Sequence, residues 1–138
     1  MMKAAALFSL LLLFGGAVYA ESLNRERAHL HYMLYCQGCH TPDGSGSETV
    51  PRFKGHIGVF LNSAEGRAFL VRVPGAANSV LADNDLAEVL NWMVLEFGEE
   101  SLPANFTPYT PEEVNLLRKE PLLEVQHYRS RLLARLLQ

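Results

Sequence analysis

The chain has 138 residues, with 12 Lys and Arg against 15 Asp and Glu, and 49% of its residues are hydrophobic. That length suits one compact domain with a modest core and is too short for two. A formal net charge of −3 argues against a nucleic-acid partner.

The N-terminus reads as a secretory signal peptide over residues 1–20. Met1 to Lys3 give a short positive start, Ala4 to Phe14 are apolar apart from Ser9, and Val18-Tyr19-Ala20 offers a cleavage site after Ala20. The apolar run is shorter than the ~20 residues that a membrane-spanning helix needs. The exported product is expected to begin at Glu21, more acidic by the loss of Lys3.

A first helix is expected from about Asn24 to Tyr35, where Leu30, Met33 and Leu34 alternate with Arg25, Glu26 and Arg27 in a helical rather than a strand pattern. It delivers the chain to Cys36-Gln37-Gly38-Cys39-His40. Two thiols separated by two residues can reach the two vinyl groups of one porphyrin, and the histidine that follows can ligate its iron from the same face. Cys36, Cys39 and His40 therefore point to one covalently bound haem c. Export supports this, because a thiol pair outside the cytosol needs a use. Two other uses compete. A redox-active disulfide motif belongs after the first strand of an α/β sheet, and a structural zinc site needs more than two thiols and His40.

Thr41 to Gly58 holds Pro42, Gly44, Gly46, Pro51, Gly55 and Gly58, which excludes long regular structure and predicts a loop wrapped around something. Ser63 can cap a short helix running to about Val71 and ended by Pro74-Gly75; Asp83 can cap a longer one from Asn84 to Phe97, with Gly98 at its C-terminal end. Residues 101–108 form a linker. Thr110-Pro111-Glu112-Glu113 then reads as a capping box, and Pro121 breaks this helix and starts another. In the last helix Leu122, Val125, Tyr128, Leu132 and Leu136 recur at helical spacing, with Arg129, Arg131 and Arg135 off that stripe. No strand pattern competes, so the expected fold is all-α. Residues 21–100 are expected to form the haem domain and 101–138 a C-terminal helical extension.

From Leu23 to Phe97 the sequence resembles the monohaem c-type cytochromes of the class I fold. The attachment motif near the mature N-terminus, the Gly/Pro-rich loop with Val50-Pro51-Arg52-Phe53-Lys54-Gly55, and Trp92 on the later helix carry the resemblance. The four-helix c′ type, with its motif near the C-terminus, does not match. The resemblance implies a helical fold around one haem, with His40 as proximal iron ligand. It also implies a distal methionine before the last core helix, and there this sequence departs: Val73 stands at that position. His56 is the best-placed imidazole for the distal side. Met93 falls on the apolar stripe of its helix, Met33 lies on the proximal side, and His29, His31, His127 and Asn78 are weaker candidates. An open distal site is the remaining alternative.

The function expected is single-electron transfer in the periplasm between redox proteins such as a dehydrogenase and an oxidase. The chain lacks an evident nucleophile–base pair, so it reads as a carrier and not an enzyme, with at most a weak peroxidase-type activity. Two alternatives remain: a haem-based ligand sensor with a vacant distal position, and a haem subunit or self-associating protein docked through its C-terminal helices.

Overall fold

The computed structural model describes residues 23–138, so the expected signal peptide and its cleavage site lie outside the described residues. Within them the chain is helical and forms no strand. The helices are α1 (Arg25–Tyr35), α2 (Gln37–His40), α3 (Ala64–Arg72), α4 (Pro74–Ala77), α5 (Asp83–Phe97), α6 (Pro111–Leu117) and α7 (Val125–Leu136), with 3₁₀ segments at Ile57–Asn62 and Glu99–Ser101.

Helix α1 starts where Asn24 accepts a hydrogen bond from the Arg27 amide at 2.9 Å. It packs on α5 through Ala28 and Tyr32, both fully buried. Tyr32, Trp92 and Phe97 form an aromatic cluster, with Tyr32 centred 5.2 Å from each of the other two rings. The start of α1 is tied to α5 by Glu88, which accepts from Arg27 Nε at 2.6 Å and from the Asn24 amide at 2.9 Å.

Ser63 caps α3 as expected, accepting from the Gly66 amide at 2.9 Å. Gly66 is required there: a Cβ would lie 2.0 Å from the Phe60 carbonyl oxygen. Pro74-Gly75 begins the short helix α4, because Pro suits a first helical position. Helix α5 starts one residue earlier than the sequence suggests. Ala82 precedes it with no side-chain cap, and Asp83 turns outward to Arg118 at 3.0 Å and Asn115 at 2.6 Å. Gly98 is right-handed (φ −66°), and the positive φ falls on Glu99 instead.

Thr110 caps α6 by accepting from the Glu113 amide at 3.2 Å. The reciprocal bond of a capping box is not made, because the Glu113 carboxylate is taken by Arg67 at 2.6 and 2.8 Å. Arg67 also donates to the carbonyls of Thr107 and Pro108 and lies 4.0 Å over the Tyr109 ring. The helix ends at Leu117, ahead of Pro121, and the break runs on to Glu124, since the Leu122 amide leaves helical register to donate to the Arg72 carbonyl at 2.9 Å. Val114, Leu122 and Leu132 then join the same core as α1 and α5, and α7 packs on α3 and on Ile57–Asn62. The apolar stripe of the C-terminal segment finds its cover within the chain.

Candidate cofactor site

The Cys36–His40 stretch is a helical turn continuing α1. The Cys36 amide donates to the Tyr32 carbonyl at 2.9 Å and the His40 amide to the Cys36 carbonyl at 3.1 Å. Thr41 then reverses the chain at φ 64°, unusual for a β-branched residue. That conformation is held from two sides. Tyr32 Oη donates to the Thr41 carbonyl at 2.6 Å, and Thr41 Oγ1 bonds with Asp43 at 2.9 Å and Ser45 at 3.0 Å.

Cys36, Cys39 and His40 line a cavity of about 310 Å³. Its other walls are largely apolar, from Phe53 in the Gly/Pro-rich loop, Phe60, Leu70 on α3, and Leu86, Val89, Leu90 and Met93 on α5. His40 stacks on Phe53 with ring centroids 3.9 Å apart. Burial lowers the His40 pKa, against an opposing pull from the Pro51 carbonyl, so the imidazole is held neutral, the form that binds a metal. Its Nδ1 is a buried polar atom with no hydrogen-bond partner.

Cys36 lacks the activation that disulfide exchange needs. Burial, and then the neighbouring Cys39, push Cys36 up to about 11, whereas redox-active pairs depend on a lowered thiol pKa. Nor do Cys36, Cys39 and His40 converge as a metal cage. Among the described residues only His31, Asp85 and Glu88 bring three ligand atoms within 4.8 Å of one another, and Glu88 is already held by Arg27 and Asn24.

Val73, at the position expected for a distal methionine, lines the cavity, and of the distal candidates Met93 does so from α5, buried. His56 does not line it: the residue is exposed, with Nδ1 3.1 Å from the Lys54 carbonyl. His29 stacks on Trp92, outside the cavity. Val125, Gln126 and Arg129 of α7 line it as well, although the sequence pattern gives the tail no part in the site. The available signal was position: Arg129 stands four residues after Val125 and three before Leu132, at the edge of the apolar stripe.

No protein-family model matches the chain. Two curated relatives do, both described as cytochrome c-552. One, from Thermus thermophilus strain ATCC 27634 / DSM 579, is 29% identical over 134 residues, covering 83% of this chain and 87% of the relative. The other, from Thermus thermophilus, is 30% identical over 110 residues, covering 66% of this chain and 84% of the relative. The chain belongs to the c-type cytochromes.

A c-type cytochrome carries covalently bound haem c and serves as an electron carrier, not an enzyme. The cavity of this cytochrome fits such a group. It offers two thiols, a neutral imidazole with an orphaned buried nitrogen, and a broad apolar lining without a carboxylate.

Proposed function

We propose that this c-type cytochrome is an exported, monohaem, class I carrier of single electrons. Cys36 and Cys39 hold the haem through thioethers, and His40 is the proximal iron ligand. The observation that carries this reading is that these three side chains line one apolar cavity. The haem supplies a one-electron couple that stays attached in both oxidation states. The protein's own part is to keep His40 neutral, to exclude water with Phe53, Phe60, Leu90 and Met93, and to fix the Cys36–His40 turn through Tyr32 and Thr41. Its partners are redox proteins, a dehydrogenase on the donor side and an oxidase or second cytochrome on the acceptor side.

The test is production in a host able to attach haem c. Denaturing gels should show haem bound to the chain, one haem per chain by pyridine haemochrome, and a reversible redox titration with the slope of a single electron. Cys36→Ala with Cys39→Ala should abolish covalent haem. A wild-type chain without covalent haem would defeat the reading, as would one that cannot be reduced and reoxidised. Secretion should yield a mature protein starting at Glu21.

A second reading is favoured by Val73 and His56 together. Valine cannot bind iron, and His56 lies outside the cavity. An open sixth position follows if Met93 also stays unligated, and the protein then binds diatomic ligands. Carbon monoxide should shift the Soret band of the reduced protein; an unchanged band would rule this reading out.

A further inference from the structure

We propose that Arg129, on the C-terminal helix α7, is the counter-cation for a propionate carboxylate of the bound haem, which makes the extension part of the cofactor site. The inference rests on the haem reading of the cavity, and three further observations carry it.

The first is charge. The lining contains two arginines, Arg52 and Arg129, and no aspartate or glutamate. An apolar cavity with cations and no anions suits a flat hydrophobic ligand that carries carboxylates of its own.

The second is partnership. The other half-buried arginines, Arg27, Arg67, Arg72 and Arg118, each meet a carboxylate of this chain. The exposed Arg52 donates to the Lys54 carbonyl at 2.7 Å. Arg129 is half-buried too, and among the described residues its guanidinium shows only the Phe60 ring, 5.9 Å from the centroid. Burial alone shifts its proton affinity, downward, with no anion to offset it. A desolvated cation without a partner is costly, and a bound carboxylate removes that cost.

The third is placement. The position of Arg129 on α7 is set by the packing of its helix neighbours. Leu132, one turn on, is buried in the core, and Tyr128 stacks on Phe69 at 5.9 Å. The helix therefore places Arg129 at the cavity wall before any ligand arrives, and pairing need order only its side chain.

The experiment compares reduction potentials of the haem-loaded wild type with those of Arg129→Met, Arg129→Gln and Arg129→Lys. Methionine keeps an apolar stem against Phe60 while removing the charge, and glutamine serves if methionine impairs folding. A positive charge beside the haem favours the reduced state. Loss of it should lower the reduced-to-oxidised ratio at fixed ambient potential by up to about tenfold, equivalent to ~59 mV for one electron. Arg129→Lys should recover most of that difference, which a purely packing role would not produce. Covalent haem with unchanged potentials in the Met and Gln variants would overturn this proposal alone. So would a variant whose potential holds while ferric azide binding changes, since that would put Arg129 over the iron. Absence of covalent haem from the wild type would overturn the haem reading, and this proposal with it.

Discussion

The hydroxyl of Tyr32 donates to the carbonyl of Thr41 at 2.6 Å, joining the middle of α1 to the residue that follows His40. Tyr32 is fully buried, and burial pushes its phenol up to about 12, so the hydroxyl remains a donor throughout the working pH range. The bond fixes the far end of the attachment turn, at a residue whose positive φ carries a cost of its own.

Tyr32→Phe keeps the ring contacts with Trp92 and Phe97 and removes only this donor. Chemical denaturation of the haem-loaded protein should show a loss of about 1 kcal/mol, the net worth of one hydrogen bond, since the Thr41 carbonyl keeps the Gly44 amide at 3.3 Å. A change under a few tenths of a kcal/mol would mean that water replaces the hydroxyl.

The Glu88 carboxylate gives acid sensitivity a sign. Burial pulls its pKa upward, but the Arg27 and Asn24 bonds outweigh it and hold the group below its ordinary 4.5. A depressed carboxylate contributes stability above the unfolded pKa and loses it as pH falls through the folded one. Glu88→Gln should therefore cost about 1–3 kcal/mol at neutral pH. Its unfolding curve should approach the wild type below pH 4.5, as thermal melts from neutral to acid pH would show.

Leu132 is 1% exposed and sits in the shared core although it belongs to the last helix. Leu132→Ala should cost about 2–5 kcal/mol, the range for emptying a well-packed site. Arg67→Ala should loosen the same segment, since one guanidinium holds Glu113 and the carbonyls of Thr107 and Pro108. Proteolysis near residues 103–108 should accelerate in that variant, while Arg67→Lys should be intermediate because it cannot make the forked pair.

Val73→Met places a thioether on the cavity lining at the position where the class I resemblance expects one. If the new sulfur reaches the iron, the reduction potential should rise and carbon monoxide binding should weaken. Unchanged redox and ligand-binding behaviour would show that α4 holds residue 73 out of reach.

The parts of this fold written in local chemistry were legible beforehand. Ser63 and Thr110 cap their helices because a cap depends on residues two or three positions away. The Cys36–His40 turn is equally local, and its three side chains do share one cavity. Asp83 and Glu113 were only half legible, since Arg118 and Arg67 take their side chains from 35 and 46 residues away. Arg129 was missed for the same reason. Which off-stripe residue of α7 meets the cavity depends on how that helix docks on α3 and on Ile57–Asn62, and no local pattern encodes that docking.

Trp92 is the single tryptophan of the chain, buried where α1 crosses α5 and one residue from Met93 in the cavity wall. The molecule thus contains one fluorophore at the joint between its first helix and its cofactor chamber. An absorbing porphyrin in that chamber should quench its emission by energy transfer in the folded state. Recovery of fluorescence would then time the parting of α1 from α5 without any label being introduced.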